Sequence, residues 1–187
     1  MKITYNKSGR ALQISKETNE KDINVFLKRM YYEIDLDYPK FFKMDVLCKI
    51  GLIGTEMIVR KNRTLFDYKS NVGVILQNKF SSLDTDYKHQ ERIQNNNVSP
   101  AVFVYTLPNI VIGEISIRHN WESEGVFLIG EEMDYELLSQ YSNILIKEKR
   151  TEVNLIGWID YLKNDYSLKI VIIDTQITPS QLKESFS

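Results

Sequence analysis

Four short apolar runs, at 72–76, 126–129, 153–162 and 168–173, alternate with segments whose apolar residues recur at helical spacing. That alternation restricts the chain to a layered α/β fold built on a mixed sheet. The runs at 72–76 and 126–129 are almost uninterrupted, the pattern of strands buried on both faces. Residues 153–162 and 168–173 are joined by Lys163-Asn164-Asp165-Tyr166, a hairpin connection. One or two further short strands are expected over 2–15, broken by the turn-forming Asn6-Lys7-Ser8-Gly9. The expectation is a sheet of about five strands covered by helices.

Between the strands, Ile23, Phe26, Leu27, Met30, Tyr31 and Ile34 follow helical spacing, with Asn19 as the expected N-cap and Asp22 in the first turn. A second helix near 45–60 carries Leu47, Ile50, Gly51, Gly54, Met57 and Ile58 on one face, its glycines permitting a close neighbour. Residues 81–86 read as a loop, 87–92 as a short helix, and Asn95-Asn96-Asn97 as a flexible connection. Pro108 is expected to open a helix bearing Ile112, Ile115 and His119. Asp134 can cap another, to about Arg150, with Leu137, Leu138, Tyr141, Ile144 and Leu145 on its apolar side and Glu136, Ser139, Gln140, Asn143, Lys147 and Glu148 facing water. Residues 1–176 form one expected domain, and 177–187 an expected C-terminal tail.

The 187 residues, 43% hydrophobic and 26% charged, are an ordinary globular mixture. The net charge of −1 gives no general attraction to nucleic acid or an anionic membrane, and neither is an expected partner. With no apolar stretch long enough to span a bilayer and no signal-like start, the expected location is cytoplasmic. One cysteine, Cys48, and two histidines, His89 and His119, offer neither an internal disulfide nor a zinc-ligand spacing, so no metal or cofactor is expected. Cys48 reads as core, His119 as a helix-end residue meeting the last carbonyls, and His89 as exposed. Trp121, Trp158, Tyr161 and Tyr166 are of types favoured at interfaces, though packing explains them more simply.

Three segments, in order, carry a family resemblance. Pro39-Lys40-Phe41-Phe42-Lys43-Met44-Asp45 stands before a long apolar helix; Val72-Gly73-Val74-Ile75-Leu76 is followed by Phe80-Ser81-Ser82-Leu83-Asp84-Thr85-Asp86; Tyr105-Thr106-Leu107-Pro108-Asn109 leads to Gly113 and Ile117-Arg118. The set resembles the N-terminal half of a β-ketoacyl-[acyl-carrier-protein] synthase, of the thiolase-like superfamily. It is most similar to the short ketosynthase-like proteins of aryl polyene and flexirubin pathways. The resemblance runs from about Pro39 to Tyr161 and implies a thiolase-like half-domain. In register, Val126, Phe127, Leu128 and Ile129 occupy the strand that enters the family's nucleophile turn. That strand would also be the contact of a homodimer joined sheet to sheet.

At the nucleophile turn the family has a cysteine; this chain reads Gly130-Glu131-Glu132-Met133. A carboxylate is a poor substitute, because acyl transfer to it gives an anhydride rather than a thioester. No catalytic residue is therefore expected, Glu131 or Glu132 occupying the position. The histidines of the family's second half have no counterpart, and two acids before a helix are favourable simply through its dipole. The resemblance implies a non-condensing accessory protein of fatty-acid or polyketide-type biosynthesis, acting by binding an active ketosynthase, an acyl carrier protein or its own copy. The alternatives are an acyltransferase or malonyl decarboxylase with a non-cysteine site, for which Glu131, Glu132, Ser81, Ser82 and His119 are the available groups, and a binder of acyl thioesters. The candidate pocket comprises Ser81, Ser82, Phe103, Tyr105, Asn109 and Phe127.

Overall fold

A computed structural model describes residues 2–16, 22–67 and 71–187. Six strands form one mixed sheet: β1 (Lys2–Tyr5), β2 (Ala11–Ser15), β3 (Val72–Asn78), β4 (Gly125–Ile129), β5 (Val153–Leu162) and β6 (Asp165–Ile173), in the spatial order β1-β2-β6-β5-β3-β4. β3 runs parallel to both β4 and β5, and the remaining pairs are antiparallel. Both N-terminal strands exist, which raises the expected five to six. Lys163 and Asn164 alone turn β5 into β6, both with positive φ (48° and 69°), so Asp165 and Tyr166 already belong to the strand. Two successive positive φ values are the mark of a type I′ hairpin turn, whose twist matches that of the strands.

Helices cover both faces. Strand alternation divides β3 between them: Val72, Val74 and Leu76 enter one core, with α1 (Ile23–Glu33), α2 (Val46–Lys61) and α5 (Ile110–His119), while Ile75 enters the other, beneath α6 (Tyr135–Lys147) and α7 (Pro179–Glu184). α2 lies centrally on its face, and its two glycines allow this. A Cβ on Gly51 would stand 2.5 Å from Val111, and one on Gly54 only 2.1 Å from Leu168 of β6. α1 is capped by Asp22, whose side chain accepts from the Asn24 amide; the expected cap, Asn19, lies outside the described residues.

Several expectations are corrected. β4 is not a buried strand: it pairs only with β3, stands at the sheet edge and keeps every residue at least partly exposed. α3 (Leu83–Gln94) begins earlier than expected, because Asp84 and Asp86 in its first turn complement the helix dipole. Pro100 opens a short α4 (Pro100–Val104) that the sequence reading missed, and α5 starts at Ile110, past Pro108. α6 is rotated from its apolar stripe. Leu138, Ser139, Ser142 and Leu145 are buried, with Ser142 bonded to the Asn154 amide, whereas Leu137 and Ile144 are exposed. The segment read as a tail contains α7, closed by a capping box of Thr178 and Gln181 and anchored by fully buried Leu182.

Candidate functional site

Two parts of the molecule follow from the sequence reading. One is the turn from β4 into α6. Gly130 donates its amide to Asn78 O at 2.9 Å, and the Gln77 side chain accepts from the Asp134 amide at 2.8 Å, so β3 fixes both ends of the turn. Glu131 and Glu132 lie between, lining a cleft of about 560 Å³ with Gln77, Met133 and Tyr135, and an adjoining one of about 280 Å³ with Trp158, Ser167 and Lys169. Glu131 pairs with Lys79 Nζ at 2.6 Å yet its side chain is 86% exposed. A carboxylate so hydrated is a surface group, and its partner among the described residues is an ammonium rather than a base.

The only cysteine lies elsewhere. Cys48 is buried in the first turn of α2, where burial, and then the charge of Asp45, push its thiol well up from the ordinary range. At neutral pH it is a protonated packing group.

The second part is a cavity of about 410 Å³ where the three segments carrying the resemblance meet. Met44 and Asp45 come from the first, Thr85 from the second and Tyr105 from the third. Asp45 ties two of them together. Its Oδ1 caps the Cys48 amide at 2.9 Å and its Oδ2 accepts from Thr85 Oγ1 at 2.8 Å, while burial raises its pKa against those bonds. Around the rim stand Lys43, Lys49, Lys88 and Arg92 against Asp45 and Glu91, four cations to two anions. Burial lowers the Lys49 pKa, and Lys88 pairs with Asp84 at 2.6 Å.

Behind Tyr105 sits a carboxylate the sequence reading did not single out. Glu114 of α5 is 3% exposed, and it accepts from Tyr105 Oη at 3.1 Å and Tyr38 Oη at 3.4 Å while pairing with Lys40 Nζ at 2.9 Å. Its signal was a lone acid within Ile110-Val111-Ile112-Gly113-Glu114-Ile115. Burial, reinforced by the Glu114 charge, raises the Tyr105 hydroxyl, so this residue is a fixed donor. The rim cations were missed because Lys88 and Arg92 look like an ordinary solvated helix face until α3 is placed beside α2.

Of the six candidate pocket residues, Tyr105 lines this cavity. Ser81, at φ 50°, is held by Asn78, and Ser82 donates its hydroxyl to Thr106 O. Phe103 is 55% exposed, Asn109 is exposed, and Phe127 packs partly buried against the core of α2 and α5. His89 is half-buried rather than exposed, its ring 5.5 Å from Phe103. His119 stacks on Trp121 at 4.6 Å instead of meeting the last carbonyls of its helix. Trp121, Trp158, Tyr161 and Tyr166 are all buried, so none of them is an exposed contact residue. Among the described residues no group of three or more His, Cys, Asp or Glu side chains is placed to hold a metal ion, and no helix is long and apolar enough to cross a membrane.

No protein-family model matches the sequence, and no curated protein matches it significantly. Solved structures do match. The ishigamide ketosynthase/chain length factor superposes with a TM-score of 0.62 at 16% identity, over 75% of this chain and 46% of that one. A chain of the type II polyketide synthase complex AntDE:AntF, an acyl carrier protein with its ketosynthase bound to the hexaketide, gives 0.63 at 13% identity, over 92% and 62%. The complex of the ketosynthase ApeO with its chain length factor ApeC from Xenorhabdus doucetiae gives 0.54 at 7% identity, over 86% and 63%. This chain thus spans between about half and three-fifths of the structures it matches. Over the matched residues, its mixed six-stranded sheet between helical layers shares the fold of these ketosynthase and chain-length-factor structures.

Proposed function

We propose that this protein is a non-condensing, ketosynthase-like accessory subunit of polyketide- or aryl polyene-type biosynthesis. The observation that carries the reading is the β4–α6 turn, where a solvated Glu131-Glu132 pair stands in a ketosynthase-type fold and the one thiol is buried in α2. Such a chain keeps the shape of a condensing enzyme without the group that would hold an acyl chain as a thioester.

Two surfaces support a binding role. β4 leaves the backbone groups of one side unpaired at the sheet edge, a template for a strand from a ketosynthase or from a second copy. The cation-rich cavity between α2 and α3 offers complementary charge to an acidic carrier protein, and one of the similar structures is a ketosynthase in complex with its acyl carrier protein. Both supports are independent of catalysis.

The test mixes the purified protein with a ketosynthase and with malonyl-loaded carrier, reading complex formation by light scattering and the carrier by intact mass. A stable complex with one of them, with the malonyl group unchanged, is the expected result. Ile129→Lys puts a charge on the sheet edge at a residue already 55% exposed and should weaken a ketosynthase complex about tenfold. Conversion of malonyl to acetyl, or an acyl adduct on this chain, would overturn the non-enzymatic reading. No binding to either protein would remove the accessory role.

A further inference from the structure

A second cationic cleft lies at the C-terminal ends of α2 and α5, apart from the β4–α6 turn and from the cavity beside α3. Glu56, Val59 and Arg60 of α2, Arg63 just beyond it, and Arg118 and His119 of α5 line about 540 Å³. Three guanidinium groups face one carboxylate there, a surplus of two positive charges.

That carboxylate sets the geometry. Glu56 is 3% exposed; Oε1 accepts from Arg118 Nε at 2.6 Å and Oε2 from Arg60 Nε at 3.0 Å. Burial would raise its pKa, but the two arginines and His119 outweigh it and hold the group below the ordinary carboxylate range. Glu56 is therefore ionised at neutral pH, and both its oxygens are spent on orienting two guanidinium planes. Arg60 also reaches Ile34 O and Asp35 O, and Arg118 Nη1 reaches Asp37 O at 3.4 Å. Arg118 Nη2 makes no hydrogen bond among the described residues, and Arg63, 85% exposed, meets Asp67 only at 3.8 Å.

His119 supplies an independent observation. Its side chain is 11% exposed and clamped by stacking on Trp121, which stacks in turn on Phe66. Its Nε2 is buried without a hydrogen-bond partner and lies 3.8 Å from Glu56 Oε1. An orphaned ring nitrogen in a packed interior is uncommon, and this one, closed off from solvent behind the cleft, senses charge placed there without touching it.

We propose that this cleft binds the phosphate group of a small phosphorylated ligand. Arg63 would donate to its oxygens in the forked geometry that suits guanidinium and phosphate, with Arg118 Nη2 as a further single donor and the buried His119 ring behind them. The volume exceeds what a bare phosphate fills and falls within the range of small-molecule sites, which suits a phosphomonoester carried on a larger molecule. The same chemistry could come from free phosphate or from the phosphates of coenzyme A, and the test separates them. The site does not depend on the proposed accessory role.

The experiment titrates the intact protein with inorganic phosphate and, separately, with coenzyme A, using calorimetry and the imidazole NMR resonance of His119. Bound phosphate should raise the His119 pKa from about 4, because a dianion opposes the burial and the arginine charges that depress it. Arg63→Gln, at an exposed residue that does not endanger folding, should weaken binding about tenfold. Lys147→Gln, at an exposed residue of α6 across the sheet, should leave it unchanged. Tighter binding of coenzyme A than of phosphate assigns the source as the nucleotide, and equal affinity assigns free phosphate. A His119 resonance that responds to phosphate no more than to chloride at equal ionic strength, or binding untouched by Arg63→Gln, would overturn the site.

Discussion

The β4–α6 turn and the helical face around α2 and α5 spend charge in opposite ways. At the turn, Glu131 and Glu132 stand in water, Glu131 pairing with an exposed lysine. Across the sheet, Glu114 and Glu56, each 3% exposed, are held by tyrosines, arginines and a lysine, all but Arg60 from outside their own helix. A solvated carboxylate gains and loses little when its partner changes, whereas a buried one must be matched by named groups or it unfolds its surroundings. The turn into α6 is therefore the tolerant part of this molecule, and the helical face is the exacting one.

The contrast predicts its largest effect at Glu114. Glu114→Ala leaves the buried Tyr105 hydroxyl and the Tyr38 hydroxyl without their acceptor and Lys40 without its partner, and should cost about 3 kcal/mol in urea denaturation. Glu114→Gln keeps one acceptor oxygen and should cost about half of that. An equal cost for both variants would mean that the ionic pairing with Lys40, rather than the tyrosine bonds, holds the site.

How far this division was legible in the sequence differs by region. The strands were legible because β3, β5 and β6 are runs whose composition suits only a covered sheet, and Gly51 and Gly54 announced a close neighbour that proved to be Val111 and Leu168. β4 misled, since its Val126-Phe127-Leu128-Ile129 run carries no sign that only one side is paired; edge position is a property of topology, not of composition. α6 misled for a related reason. Small Ser139 and Ser142 let the helix approach the sheet and turned Leu137 and Ile144 outward, a choice decided by packing distance rather than hydropathy. The cationic cavities were invisible because each joins residues of separate helices whose charges, read singly, look like solvated faces.

The next effect in size concerns pH. Burial, with Arg118 and Arg60, lowers the His119 pKa to about 4 from a free value near 6.5, so the unfolded chain takes up a proton before the native one does. The stability this neutral imidazole carries is complete above pH of about 6.5 and is lost as pH falls toward 4, by about 3 kcal/mol in all. Glu56, also depressed, adds a loss at the lower end of that range, as pH falls through its folded pKa. His119→Gln should flatten the profile from about pH 6.5 to 4 and leave the part of the Glu56 loss that Arg118 and Arg60 set. If the profile of that variant matched the parent, the depression of His119 would be wrong.

The smallest effect belongs to the turn. Glu131→Gln breaks one ion pair of a side chain that is 86% exposed, and the helix that follows keeps its own cap, Asp134, which accepts from the Leu137 amide at 3.0 Å. Because the cap and the backbone bonds from Asn78 and Gln77 hold the turn, neither Glu131→Gln nor Glu132→Gln should move the urea midpoint measurably. The two carboxylates differ from Glu114 in what they would report, which is interaction rather than folding. A loss of ketosynthase binding in either variant at unchanged stability would make the turn part of the partner surface, and a large loss of stability would mean that the tolerant and exacting regions are not separate after all.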